Sequence, residues 1–209
     1  MKKVYELKLK YDHLVDMDYD AFVLPFKNIE DFRFNIGGIE KVTINQPLYL
    51  IGNLTVMPEK TDYPIIDIGI SVMSNNMISI LESQSQLNLN KIPVKTLDDT
   101  YLGKRFDWRG NLKNDILNND AYSILQILEY SESFDYENSV FRPLRSNPNM
   151  PGVIKKLVLK EPKDGFSSIF KIKEKSSKLF ISAQAKEALE ANDIKGCVFE
   201  EVEVTPYSI

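Results

Sequence analysis

The chain has 209 residues, 43% of them hydrophobic and 27% charged, a balance with enough apolar surface to offset chain entropy in a globular fold. No apolar run approaches the ~20 residues of a spanning helix, and 26 Lys and Arg against 30 Asp and Glu leave a net charge of −4, so neither a membrane nor a nucleic-acid partner is expected. One Cys, Cys197, and one His, His13, exclude an intramolecular disulfide and a zinc cluster built from His and Cys.

The start, Met1-Lys2-Lys3-Val4, is basic without a following apolar run or small-residue cleavage site, so no secretory signal is read and a cytoplasmic location is the expectation. Tyr5, Leu7, Leu9 and Tyr11 alternate with Glu6, Lys8 and Lys10, the period of a half-buried strand. An acidic stretch follows, with Asp12, Asp16, Asp18 and Asp20 around His13. It reads either as a solvated loop or helix face or as a negative patch for a basic partner.

Residues 32–57 predict a β meander. Gly37-Gly38 marks one turn and Asn45-Gln46-Pro47 another, with Ile39, Val42 and Ile44 between them and Leu48-Tyr49-Leu50-Ile51 after. Ile65-Ile66 predicts a short strand. Ser74 then caps a helix with Met77, Ile80 and Leu81 on one face. A polar stretch from Gln84 to Lys91 leads into a strand over 92–97. Residues 103–120 predict a long loop with one helical turn, and such loops are mobile or functional. Residues 121–142 fit a helix through Ala121, Ile124, Leu125 and Leu128, or strands through Tyr122, Ile124 and Val140. Pro143, Pro148 and Pro151 make 142–152 a connection that excludes regular helix, and 153–159 predicts a strand.

The C-terminal stretch is the most regular. Ile169-Phe170-Lys171-Ile172 and Lys178-Leu179-Phe180-Ile181 predict strands. Ser182 caps a helix with Ala185, Ala188 and Leu189 inside. Gly196 suits a left-handed turn, and Val198 to Val204 predicts a closing strand with an irregularity at Glu200-Glu201. The segment Val72 to Glu82 aligns without a gap on Phe180 to Glu190. Each has two apolar residues, a Ser cap, and apolar residues three, six and seven places on. This echo admits two related β-β-α-β halves, 1–102 and 121–209. It also admits a chance likeness between two capped amphipathic helices.

Chemistry is sparse. Asp98-Asp99 could form an acid/base or metal pair, but adjacent residues on an extended chain face opposite ways. His13 could act as a general base, yet no nucleophile motif accompanies it. Ser74 and Ser182 lie outside any Gly-x-Ser-x-Gly pattern, and capping explains both. Cys197 reads as a small buried hydrophobe. Trp108, the single Trp, sits among Arg105, Asp107 and Arg109. It either packs the loop on the core or stands at an interface, where Trp and Arg are enriched. No cofactor motif and no metal-ligand set is read.

The segments Ile169–Ile172, Lys178–Glu190 and Ile194–Val202 carry strand, Ser-capped helix, Gly, aromatic and Glu in a fixed order. In this the chain resembles the bacterial immunity-protein family eleven, a myxobacterial-type immunity domain associated with polymorphic-toxin loci. Tyr130 to Ser139 is similar to that family's Asp-x-x-x-Ser region, and Ile92-Pro93-Val94 to its strand after the first helix. The resemblance spans roughly 65–204. It implies a protein that binds and occludes a cognate toxin domain rather than an enzyme.

The expectations are therefore an α+β fold, mostly antiparallel sheet with a few packed helices, in one domain over 1–209. The candidate toxin-contacting residues are Asp12, Asp16, Asp18, Asp20, Arg105, Trp108 and Arg109. An enzyme using His13 or Asp98/Asp99, or a protein-binding adaptor, is the alternative. Oligomeric state is left open.

Overall fold

A computed structural model describes residues 2–11, 19–26, 29–44 and 47–207. Among them the strands are β1 (Val4–Leu9), β2 (Ala21–Val23), β3 (Leu48–Gly52), β4 (Val72–Ser74), β5 (Leu89–Asp98), β6 (Asn118–Asn119), β7 (Tyr122–Ile127), β8 (Tyr130–Ser131), β9 (Val140–Pro143), β10 (Pro151–Lys156), β11 (Val158–Lys160), β12 (Ile169–Ile172), β13 (Leu179–Ser182) and β14 (Cys197–Thr205). The α-helices are α1 (Ile29–Ile36), α2 (Val56–Lys60), α3 (Asn75–Gln84) and α4 (Ala183–Ala191). The fold is α+β and mostly sheet.

One six-stranded sheet runs β11-β14-β1-β13-β12-β8. The other runs β2-β3-β5-β7-β4 with β6 beside β5, and β9 and β10 form a separate two-stranded ribbon. Most pairings are antiparallel, but β3 with β5, β11 with β14 and β12 with β8 run parallel. A central apolar cluster joins both sheets through Met73, Leu125, Ile169 and Ile181, with Met77 and Leu81 of α3 and Ala185 and Leu189 of α4 between them. The far face of the β5–β7 sheet is covered by Phe32 and Ile36 of α1. That of the β1–β13 sheet is covered by Phe134 and, more loosely, by Phe141 and Ile154 of the ribbon.

Burial on both faces explains two sequence ambiguities. Every residue of β7 and of β12 is buried, so 121–128 shows no period-2 alternation and mimics a helix. The irregularity expected at Glu200-Glu201 of β14 does not form, although the apolar residues change parity there. The pairing with β1 is instead continuous from Val202 to Cys197. Cys197 and Phe199 pack on the central cluster, whereas Val202 and Val204 pack on the opposite face. The covered face switches along the strand, and the register does not.

The two Ser-capped helices form as read. Ser74 Oγ accepts from Met77 N (3.0 Å) and Ser182 Oγ from Ala185 N (3.3 Å). Their settings match in topology. β4 and β5 both run antiparallel to β7, which lies between them, and β13 and β14 both run antiparallel to β1. Each unit is a strand-helix-strand split by one inserted strand. Asp62 stitches them together: one carboxylate oxygen accepts from Ser74 Oγ (2.5 Å) and the other from Lys195 N (3.0 Å). Gly196 takes the expected left-handed conformation at φ +81°, and Thr61 Oγ1 occupies the space that a Cβ would need.

Other expectations require correction. No meander spans 32–57: residues 29–36 are helical, because Phe32 and Ile36, one turn apart, bury on one face. Gly37-Gly38 ends that helix, with Gly38 N–H donating to Asn35 O (3.0 Å). Residues 39–44 pair with side chains instead of a strand. The buried Gln126 donates to Glu40 O (2.8 Å) and accepts from Val42 N (3.1 Å), and Asn90 donates to Val42 O (2.9 Å). Ile65-Ile66 makes one isolated bridge, Ile66 with Ala21, rather than a strand. The expected 153–159 strand is divided into β10 and β11 at Leu157.

Candidate interaction surface

Residues 105–113 form a small hairpin rather than a loop with a helical turn. Phe106 bridges Leu112, Asp107 N–H donates to Asn111 O (2.9 Å) and Lys113 N–H to Arg105 O (3.0 Å). The turn is locked from within. Asp107 Oδ1 accepts from Arg109 N and Asn111 N, both at 2.8 Å, and Gly110 N–H donates to Asp107 O (3.1 Å). Gly110 supplies the φ of +82° that closes such a turn. The amides of Asn111, Arg109 and Gly110 hold the Asp107 carboxyl below the usual carboxylate range, against the slight burial that raises it.

Phe106 fastens the hairpin to the body by an edge contact with Tyr49 of β3, centroids 5.2 Å apart. That leaves Trp108 free of any anchoring duty. It is 87% exposed at the tip, with the Arg109 guanidinium 4.5 Å over its ring. Leu102, in the same connection, is 98% exposed. Arg105 points inward, donating to Asp98 O (3.0 Å) and lying 5.8 Å over the Tyr101 ring. It positions the connection, and the tip pair Trp108–Arg109 faces outward.

Asp12, His13, Asp16 and Asp18 lie outside the described residues. Asp20 is half-buried and its carboxylate accepts from Ile65 N (2.8 Å), which ties the entry of β2 to the 65–66 segment. Asp98 accepts from Thr100 N (3.0 Å) and Thr100 Oγ1 (2.8 Å), and these bonds hold its carboxyl below the ordinary range. The Asp99 amide donates to Gly52 O (3.2 Å).

A groove of about 920 Å³ runs between α3 and β5, floored by Ile78, Ile92 and Val94. Its charged groups are already engaged: Lys91 with Glu82 at 2.9 Å and Lys95 with Asp120 at 3.0 Å. The Cys197 thiol is pushed up to about 12 by burial, with Asp62 and Glu190 adding to the effect, so it favours the protonated form at neutral pH. Among the described residues, no group of three or more His, Cys, Asp and Glu is placed to hold a metal ion, and no helix is long and apolar enough to cross a membrane.

The Tyr130–Ser139 region shows what its Asp and Ser do. Asp135 Oδ1 accepts from Glu137 N and Asn138 N, both at 3.0 Å, and Oδ2 from Asn138 Nδ2 (2.8 Å) and Thr205 Oγ1 (2.6 Å). Ser139 N–H donates to Asp135 O (2.9 Å), and Ser139 Oγ donates to Val158 O and accepts from Val158 N, both at 3.0 Å. The motif closes a turn and clamps it onto β11 and the end of β14.

Fold and surface thus define a sheet-rich α+β protein with a solvent-exposed aromatic-basic hairpin tip. Over residues 113–204 the chain matches the immunity protein family (Imm11). The match takes in the Asp135–Ser139 clamp and the β12–α4–β14 stretch on which the sequence resemblance rests. Ile92-Pro93-Val94 and the hairpin up to Leu112 lie outside it. No curated protein matches the chain.

Proposed function

We propose that this chain is an immunity protein of a polymorphic-toxin system. It binds a cognate toxin domain in the cytoplasm of the producing cell and neutralises it by covering its working surface. The match over residues 113–204 carries this reading. The hairpin tip supports it: a large aromatic on a turn rigidified by Asp107 loses little conformational freedom on binding. Trp108 and Arg109 are the proposed anchor, with Arg105 holding them in place. The acidic stretch of Asp12, Asp16 and Asp18, which ends at the half-buried Asp20, is the proposed second contact, for a basic patch on the toxin domain.

Co-expression with the toxin domain encoded beside this chain tests the reading. The expected result is protection of the cell and a purified complex. No complex and no protection overturns it. Trp108→Ala should weaken that complex by about 2 kcal/mol or more, roughly 30-fold in Kd. The melting temperature should not move, because the ring makes no core contact. Titration calorimetry and a thermal melt read the two quantities.

A further inference from the structure

The β9–β10 ribbon stands out by charge. From residue 138 to 160 the chain carries Arg142, Arg145, Lys155, Lys156 and Lys160 and not one Asp or Glu, although the whole chain is acidic. All five basic residues are exposed. Lys156 pairs with Glu203 at 2.8 Å, but Arg142, Arg145 and Lys155 form no ion pair among the described residues. The ribbon's inner side chains, Phe141 and Ile154, pack on the body. Its outer side chains, Val140 and Val153, are 51% and 57% exposed, and Val153 sits directly opposite Arg142. The result is an apolar strip flanked by exposed cations, on a ribbon whose outer edges belong to neither sheet.

Edge strands commonly carry charge and Pro to prevent unwanted pairing, and Pro143, Pro151 and the register shifts of this ribbon serve that end. Lys on an edge serves that purpose, but it does not call for Arg142 and Arg145 as well, nor for the absence of any Asp or Glu from 138 to 160 in a chain of net charge −4. A uniform sign over exposed valines is the composition of a contact surface for an anionic partner. A long polyanion would also meet the field of the acidic remainder. A compact acidic patch would meet the ribbon alone.

We propose that the outer face of the β9–β10 ribbon is a docking surface for an acidic patch on the toxin domain, separate from the Trp108 tip. The assignment rests on the toxin-binding reading. Arg142 and Lys155 set the approach, and Val140 and Val153 fill the dry centre of the contact.

The test is a triple variant, Arg142→Glu, Arg145→Glu and Lys155→Glu, measured for association with the toxin domain of the neighbouring gene at low and high salt. None of the three forms an ion pair among the described residues, so a thermal melt like that of the wild type is expected. A doubly substituted Arg142→Lys, Arg145→Lys chain is the charge-preserving control. The proposal expects association slowed at least tenfold at low salt, a gap that narrows as salt screens the charges, and near-normal rates for the control. Equal rates for wild type and triple variant overturn the ribbon and leave the immunity reading standing. A wild type that binds no toxin removes both. Fluorescence anisotropy with duplex DNA and with RNA is the remaining arm. Binding by the wild type that the triple variant loses overturns the proposal in favour of a nucleic acid, and no binding supports it.

Discussion

Glu6 is a carboxylate in the middle of β1, 5% exposed, between the ammonium groups of Lys175 at 2.9 Å and Lys178 at 3.2 Å. Burial alone would raise its pKa. The two lysines outweigh that and hold it below the ordinary value of 4.5. Asp135 is shifted the same way, because its four hydrogen bonds outweigh burial. A carboxyl whose folded pKa is depressed lends stability that is complete above the unfolded pKa and is lost as pH falls through the folded one. The acid limb of stability should therefore lie below the ordinary carboxyl range, and Glu6→Gln should flatten it. Denaturant midpoints taken from about pH 6 down to about pH 2 measure this. A Gln variant with an unchanged acid limb would show that Glu6 is not linked. Nothing in the sequence marks Glu6 as special. It is one polar residue of an alternating strand, and the lysines that pair with it lie about 170 positions away.

At the scale of elements, what could be read was what short-range chemistry decides. Both Ser caps, the helices behind them, the β12–β13 pair and the left-handed Gly196 follow from local patterns. The elements that escaped depend on distant partners. Helix α1 has only Phe32 and Ile36 as its buried stripe, and the loop after it is shaped by Gln126 and Asn90, far along the chain. The 105–113 hairpin is held by one Asp carboxylate and one Gly, a signal easily taken for an ordinary polar loop. The cationic ribbon passed as a Pro-rich connection because its charges count only once two strands bring them to one face. The caps also differ in a way that spacing does not reveal. Ser182 Oγ accepts one amide, whereas Ser74 Oγ also donates to Asp62, which in turn holds Lys195. Ser182→Ala should cost about 1 kcal/mol, and Ser74→Ala about 2 kcal/mol, since a charge-assisted bond is lost as well. Urea unfolding of the two variants gives the comparison. Equal costs would mean that Asp62 finds other partners.

At the scale of the molecule, the echo between the two Ser-capped units extends to topology, yet the units do not separate along the chain. The strand inserted between β13 and β14 is β1, from the N-terminus. The strand inserted between β4 and β5 is β7, from beyond the hairpin. Each sheet thus takes the strand inserted into its Ser-capped unit from the other side of the connection at 99–117. The cluster between the sheets draws Met73 and Leu81 from one side and Ile181 and Leu189 from the other. Removing a middle strand exposes two unpaired edges and the apolar face it covered, which is costly for a small sheet. We therefore expect one cooperative unfolding transition, and two fragments, 1–102 and 103–209, that are each unfolded alone. The cut falls next to the fully exposed Leu102 and breaks no strand, so the mixed fragments should regain the sheet signal of the intact chain. Circular dichroism of each fragment and of the equimolar mixture decides the matter. A folded, cooperatively melting 103–209 fragment would show that the C-terminal sheet does not need β1, and the two units would then be domains in their own right.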